Sequence, residues 1–165
     1  MIPHVVVWIF ALTFSLGTFA EDFIGKVVAV ADGDTITVLR DQEQVKIRLS
    51  GIDAPEKAQA FGNRSKQSLS TLCFNKSAKL DDQGKDRYGR TLARAHCEGI
   101  DANAEQVRLG MAWVYDRYVT DRSLYQLQEE ARAARRGLWV DPDPMPPWVW
   151  RRNREVVDSS QQEEQ

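Results

Sequence analysis

The chain has 165 residues, a length that suits one domain with a tail and excludes two packed catalytic domains. Its 42% of apolar residues is enough for one core, and its 28% of charged residues fits neither a disordered chain nor a polytopic membrane protein. The net charge of −2, from 22 Lys and Arg against 24 Asp and Glu, provides no bulk attraction to a polyanion, so a nucleic-acid site must depend on where individual arginines lie.

The first twenty residues are largely apolar and hold no Lys, Arg, Asp or Glu. This pattern predicts a secretory signal peptide over residues 1–20, because the apolar stretch is shorter than the ~20 residues of a membrane-spanning helix and Thr18 and Ala20 suit a cleavage site. We expect export to the periplasm or the medium, and no stable membrane association after cleavage. The alternatives are an uncleaved membrane anchor and a buried helix, since the segment lacks the usual leading Lys or Arg.

Residues 21–140 are expected to form one domain of strands and helices. In chain order, the periodicity predicts three strands, a helix, two strands and two helices: residues 24–30, 35–39, 45–49, 64–74, 77–80, 91–97, 101–110 and 124–136. The last helix is expected to end at Gly137, a typical C-cap residue. Five short strands with three helices outside them predict an α+β fold built on a small closed barrel, of which the OB-fold is the commonest five-stranded form.

Residues 141–165 form a C-terminal segment rich in Pro and Trp, followed by an acidic tail. Four of the six prolines fall within residues 141–147, so the domain is expected to end near Trp139. The indoles of Trp148 and Trp150 are costly to leave in water, so residues 148–152 are expected to fold back onto the domain. Residues 159–165 are expected to be disordered.

Two cysteines occur, Cys73 near a predicted helix end and Cys97 at a predicted strand end. In an exported protein an even number of cysteines favours a disulfide, which would stabilise the fold by roughly 3 kcal/mol in the chain-entropy model. The alternative is a pair of inert buried thiols.

Carboxylates cluster at the predicted strand ends. Asp32 and Asp34 flank Gly33, which is expected to supply a positive φ in the first strand-to-strand turn, and Asp53 and Glu56 follow the third strand. Either group alone is ordinary turn chemistry. Four carboxylates crowded together without a cation are electrostatically costly, and oxygen ligands with no Cys or His nearby select Ca²⁺ or Mg²⁺ over zinc or copper.

Arginines provide a basic counterpart to these carboxylates. Arg48 lies on the strand that leads into the second acidic group, and Arg90 opens a later strand. Arginine binds phosphate in bidentate fashion and stays protonated, whereas a single arginine is more often part of a surface salt bridge. Two guanidinium groups, a divalent cation and a carboxylate that orients water are the parts required for metal-assisted phosphoryl hydrolysis.

Three sequence blocks, at residues 30–35, 48–56 and 86–90, resemble in order and type the signature motifs of the staphylococcal nuclease, or thermonuclease, family. The resemblance extends from about Gly25 to Trp139. It implies an OB-fold barrel with three helices and a Ca²⁺-dependent nuclease that cuts DNA and RNA and leaves 3′-phosphate products. A monomer is expected.

The resemblance also implies roles for individual residues. Asp34, Asp53 and the backbone carbonyl of Ala54 would ligate Ca²⁺, Asp32 would act through a coordinated water, and Glu56 would orient or deprotonate the attacking water. Arg48 and Arg90 would bind the phosphate and stabilise its charge, and Arg90 would also assist the leaving 5′-oxygen. The further candidates for substrate binding are Arg87, Tyr88, Tyr115 and Tyr118, whereas Trp113 is expected to lie in the core.

The leading hypothesis is therefore a secreted Ca²⁺-dependent nuclease that acts on DNA and RNA. The alternative is a catalytically lapsed OB-fold module that binds single-stranded nucleic acid without cutting it. The four carboxylates argue against this alternative, because they repel phosphate and a protein that only binds nucleic acid has no use for them. A calcium-buffering or adhesion domain would leave Arg48 and Arg90 unexplained.

Overall fold

The alternation of buried and exposed residues along the strands builds the domain around a barrel. The computed structural model describes the backbone of residues 22–163 and the side chains of residues 22–156, so the predicted signal peptide lies outside the described residues. In chain order the elements are β1 (Phe23–Val30), β2 (Thr35–Arg40), β3 (Glu43–Leu49), β4 (Ile52–Asp53), α1 (Gly62–Cys73), β5 (Ser77–Lys85), β6 (Thr91–Cys97), β7 (Ile100–Asp101), α2 (Ala102–Arg108), β8 (Trp113–Val114), α3 (Ser123–Ala133), a 3-10 turn (Gly137–Val140) and α4 (Pro147–Glu163).

Five strands pair in the order β3-β2-β1-β5-β6 and close on themselves. The first four pairings are antiparallel, and β3 then pairs with β6 in parallel, with Arg48 opposite Leu92. The two-residue strand β7 extends this sheet beside β6, while β4 pairs separately with β8. The predicted α+β fold with a five-stranded OB-type barrel is confirmed.

The barrel interior is filled by aliphatic side chains from the strands and from α1. Val27, Ile36, Ile47 and Leu80 are fully buried on the strands, and Leu69 on α1 is buried with them. A disulfide between Cys73 and Cys97, whose Cα atoms lie 5.2 Å apart, joins the end of α1 to the end of β6. This is the pairing that the cysteine count predicts.

The chain turns earlier than expected after α3. The helix ends at Ala133 rather than near residue 136, because Arg135 and Gly137 take positive φ values of 51° and 54°. Gly137 therefore lies inside the 3-10 turn and allows close packing, since a Cβ on it would lie 2.2 Å from the carbonyl oxygen of Gly110. The turn buries Trp139 in a second apolar cluster.

The C-terminal segment folds back onto the domain as a fourth helix. Trp148 packs against the second cluster, with its ring centroid 5.8 Å from that of Trp113. α4 begins at Pro147, a residue that suits a first helical position because it has no N–H to leave unpaired. No Gly or Pro follows Pro147 in the sequence. The backbone is helical through Glu163, although the sequence predicts disorder from residue 159. Within residues 22–163, no helix is long and apolar enough to cross a membrane.

Candidate active site

The turn between β1 and β2 places Asp34 at the mouth of the barrel. The Asp34 N–H donates to Asp32 Oδ1 at 3.0 Å, which closes the turn. The Asp34 carboxylate is buried: Oδ2 accepts from the Ala54 N–H at 2.7 Å, and Oδ1 accepts from Thr35 Oγ1 at 3.1 Å. Asp34 is thereby fixed beside Ala54, and Asp32 is held within the same turn.

Gly33 is needed in this turn for close packing and not for backbone conformation. Its φ lies outside the left-handed region, so the expected positive φ is wrong. A Cβ at this position would lie 1.8 Å from Ser65 Oγ on α1 and 2.8 Å from Ala54 Cβ. The Gly33 carbonyl accepts a hydrogen bond from Gln106 Nε2 at 2.7 Å, so two helices hold the turn that carries Asp34.

Arg48 lies between two of the predicted cation ligands. Its Nη2 is 3.1 Å from Asp34 Oδ2 and 2.9 Å from Asp53 Oδ1. Its Nη1 donates to the carbonyls of Leu49 at 2.8 Å and Ile52 at 2.9 Å. The pairing of β4 with β8 holds Asp53 beside this guanidinium, and the Asp53 residue is 1% exposed.

Burial and neighbouring carboxylates disfavour the ionised form of Asp34. Burial raises the pKa of Asp34 to about 7; Arg48 acts against this rise, whereas Asp32 and Asp53 add to it. A carboxyl group with so high a pKa is poorly compensated as an anion, and a further positive charge beside it would favour its ionised form.

The donor set suits a hard cation, although the carboxylates do not surround an open cation position. Asp34 and Asp53 offer buried oxygen ligands and no soft donor, which is the chemistry of a Ca²⁺ or Mg²⁺ site. Among the described residues, no three His, Cys, Asp or Glu side chains form a ready-made metal cluster. Guanidinium groups occupy the space between the carboxylates: one lies between Asp34 and Asp53, and a second lies between Asp53 and Glu56.

The second guanidinium belongs to Arg151 on α4, a residue absent from the sequence-based site. Its Nη2 donates to Asp53 Oδ2 at 2.7 Å, and its Nη1 donates to Glu56 Oε1 at 2.7 Å. The sequence offered one signal for Arg151: Trp148 and Trp150 are expected to fold back onto the domain, and Arg151 is next to Trp150 in the chain. Glu56 itself is anchored through its N–H, which donates to Gln59 Oε1 at 3.1 Å.

Arg90 directly precedes β6, the strand that pairs with β3 beside Arg48. Arg48 is level with Leu92, and Arg90 precedes Leu92 by two residues, a separation of about 7 Å along a strand. The hydrogen bond found for the Arg90 side chain within residues 22–156 runs from Nε to Asp86 Oδ2, at 2.7 Å, and not to the carboxylate cluster. The structure therefore brings Asp34, Arg48, Asp53 and Glu56 into one network that is connected through Arg48 and Arg151, whereas Arg90 is held separately by Asp86.

The turn before β6 presents an exposed aromatic ring between two arginines. Tyr88 is 69% exposed, and the guanidinium carbons of Arg87 and Arg90 lie 4.7 Å and 5.6 Å from its ring centroid. Arg87 Nη2 also donates to the Tyr88 hydroxyl at 2.6 Å. This combination of ring and positive charge suits a nucleotide.

The other two candidate tyrosines differ in how much of the ring is open. The Tyr115 ring stacks on Trp148, with centroids 5.4 Å apart and planes 18° from parallel, so one of its faces is covered. Tyr118 is 53% exposed and meets Tyr115 edge to face at 5.3 Å. A base that stacks here would therefore use Tyr118. Trp113 is buried, as expected for a core residue.

Comparison with known proteins identifies the family of the chain. Residues 46–141, more than half of the chain, match the family model described as staphylococcal nuclease homologue. An uncharacterized endonuclease of Escherichia coli O157:H7 is 45% identical over 142 residues, covering 86% of this chain and 93% of that protein. An uncharacterized endonuclease of Haemophilus influenzae is 46% identical over 132 residues, covering 79% of this chain and 74% of the relative.

A micrococcal nuclease of Shigella flexneri is 43% identical over 142 residues, covering 79% of this chain and 82% of that protein. In each comparison the aligned segment covers most of this chain and most of the relative. The segment that matches the family model includes Arg48, Asp53 and Glu56. The chain belongs to the staphylococcal nuclease family and is a nuclease, a hydrolase of phosphodiester bonds.

Proposed function

We propose that the protein is an exported, Ca²⁺-dependent endonuclease that hydrolyses DNA and RNA and leaves 3′-phosphate products. The observation that carries this proposal is the position of Arg48 between the buried carboxylates of Asp34 and Asp53, with Glu56 connected to Asp53 through one further guanidinium. Export is supported by the apolar leader in the sequence and by the disulfide between Cys73 and Cys97, a bond typical of oxidising compartments.

Asp34 and Asp53 would hold the Ca²⁺ ion, with the Ala54 carbonyl as a third ligand and Asp32 acting through water. When bound, the ion supplies positive charge that polarises the phosphate and offsets its developing negative charge. Burial of Asp34 beside Asp32 and Asp53 supports this assignment, because a cation at these carboxylates would favour their ionised form.

Glu56 is the proposed proton acceptor for the attacking water. Its side chain is 40% exposed, so water has access to it, while its backbone is fixed by Gln59. The water oxygen attacks phosphorus as one of its protons passes to a carboxylate oxygen of Glu56. The P–O5′ bond then breaks, the 5′-oxygen takes a proton from solvent water, Glu56 returns its proton to solvent, and the phosphate remains on the 3′-oxygen.

Arg48 and Arg90 are proposed to stabilise the charge on the phosphate. Arg48 is held on one side by two backbone carbonyls, so its orientation is set before substrate arrives. The side chain of Arg90 is held by Asp86 through Nε and remains 28% exposed, which leaves the guanidinium accessible to a ligand. Arg90 is also the proposed source of assistance to the leaving 5′-oxygen.

Low sequence preference is proposed from the aromatic surfaces beside the site, and low discrimination between DNA and RNA from the fact that stacking on a base makes no use of the sugar 2′-hydroxyl. Tyr88 and Tyr118 are exposed rings with arginines next to them, and stacking of a base on such a ring tolerates any sequence.

The test is cleavage of matched DNA and RNA with Ca²⁺ or with a chelator, followed by analysis of the product ends. We expect cleavage of both polymers with Ca²⁺ and no cleavage with the chelator. Products should accept a radioactive phosphate at the 5′ end without prior phosphatase treatment, since that end carries a hydroxyl. Chelator-resistant cleavage, or products with 5′-phosphate ends, would overturn the proposal.

A further inference from the structure

α4 lies beyond the segment that the family model matches and is docked at the edge of the active site. The match ends at residue 141, whereas α4 begins at Pro147. Trp148 stacks on Tyr115, and Gln59 Nε2 donates to the Met145 carbonyl just before the helix at 2.6 Å. The first contact holds the first turn of α4 against the segment after β8, and the second holds the residues before α4 against the loop that carries Glu56.

Arg151 follows Trp148 by three residues, so both side chains lie on one face of α4. Its fork of nitrogens spans two acids: Nη2 lies 2.7 Å from Asp53 Oδ2, and Nη1 lies 2.7 Å from Glu56 Oε1 and 3.3 Å from Asp53 Oδ1. The Asp53 side chain is 2% exposed, so the contact is made to a desolvated carboxylate, where charge-assisted hydrogen bonds are strong. Arg151 is therefore an integral part of the carboxylate network.

An open groove of about 350 Å³ runs beside this contact, between α4 and the loop after β4. Its lining residues include Glu56, Lys57, Trp150, Arg151 and Arg154. The groove gives the Arg151 guanidinium, whose side chain is 39% exposed, room to turn away from Asp53 while it stays near Glu56.

We propose that Arg151 is a positioning residue of the active site, which holds Glu56 in its working orientation and competes with the divalent cation for Asp53. The inference rests on the proposed function, in which Asp53 binds Ca²⁺ and Glu56 accepts the proton. A guanidinium and a divalent cation on the same carboxylate repel each other, so binding of the ion weakens the contact of Arg151 with Asp53. The contact with Glu56 remains, and it limits the rotamers of that side chain.

The experiment compares Arg151→Ala, Arg151→Lys and the control Arg152→Ala with the parental protein. Arg152 is exposed and adjacent, so its replacement removes the same charge from the same helix. Ca²⁺ binding is measured by calorimetry and by tryptophan fluorescence, and kcat and KM are measured on DNA at saturating Ca²⁺.

We expect Arg151→Ala to bind Ca²⁺ about tenfold more tightly, because a competing charge is gone. Its kcat should fall by about 10- to 100-fold with a smaller change in KM, because Glu56 loses its orientation. Arg151→Lys keeps the charge but cannot span both acids, so its Ca²⁺ affinity should stay near the parental value while its kcat falls. Arg152→Ala should match the parental protein in both measurements.

A purely structural role for Arg151 predicts a different result, in which Arg151→Ala binds Ca²⁺ no more tightly and its folded fraction keeps the parental kcat. That result would overturn the inference. If Arg151→Ala does not fold, Arg151→Lys decides the question, since a parental kcat in that variant rules out positioning of Glu56. A parental protein that does not bind Ca²⁺ would overturn the proposed function as well, which distinguishes the two failures.

Discussion

Replacement of Gly33 by alanine tests whether packing of the β1–β2 turn determines the geometry of the site. The new Cβ would lie 1.8 Å from Ser65 Oγ, 2.7 Å from Ser65 Cβ and 2.8 Å from Ala54 Cβ. Carbon atoms do not approach other heavy atoms within about 3 Å, so the turn must move away from α1 by about 1 Å. Asp34 is the next residue and must move with the turn.

The expected cost of Gly33→Ala is about 1–3 kcal/mol of unfolding free energy, the range for overpacking of a close-packed site. A displacement of Asp34 by about 1 Å should also lower kcat by about 100-fold. Urea unfolding measures the first quantity, and initial rates of DNA cleavage at saturating Ca²⁺ measure the second.

Gly99→Ala is the matched control for Gly33→Ala. Gly99 has a φ of 83° and no atom within 4 Å of an added Cβ, so its replacement introduces backbone strain without a clash. We expect it to cost about 1 kcal/mol and to leave kcat unchanged, because Gly99 lies in the turn between β6 and β7. A Gly33→Ala protein with parental stability and parental kcat would refute the packing argument.

Three further predictions concern the acids and the disulfide. Glu56→Gln should lower kcat by about 10²- to 10⁴-fold in the cleavage assay with little change in stability, and a parental rate would remove Glu56 from the mechanism. Replacing Cys73 and Cys97 together by alanine should lower the free energy of urea unfolding by roughly 3 kcal/mol, since the bond joins residues 24 apart; an equal midpoint in reduced and oxidised parental protein would contradict this. Hydrogen bonds from Ser123 and Arg94 lower the pKa of Asp121 to about 2, so these contacts stabilise the fold fully above the unfolded pKa of about 4, and their contribution falls as the pH decreases toward 2. Unfolding curves of Asp121→Asn and the parental protein should therefore differ near pH 7 and converge near pH 2, and a difference that persists at pH 2 would contradict the assignment.

The strands show how far local pattern predicts structure. The bounds of β6, Thr91–Cys97, are predicted without error because buried and outward-facing residues alternate along all of it. β5 runs to Lys85, although the pattern predicts an end at residue 80. Its polar second half is held by pairing with β6, through a bulge near Gly84, which has a φ of 99°. Because pairing with β6 stabilises this half of β5, its sequence shows no apolar pattern from which the strand could be predicted.

Periodicity and short motifs act over neighbouring residues, so the sequence predicts the barrel and, through the family resemblance, selects as site candidates Asp34, Arg48, Asp53 and Glu56. Its two cysteines allow a single pairing, which the structure contains. Contacts between distant segments place Arg48 between Asp34 and Asp53 and make Arg151 a bridge from Asp53 to Glu56. Arg151 is 95 residues from Glu56 in the chain, and no local pattern encodes a contact over that distance. The packing of Trp148 against Trp113 and Tyr115 brings it there, so the complete set of charges at this site depends on how the C-terminal helix docks.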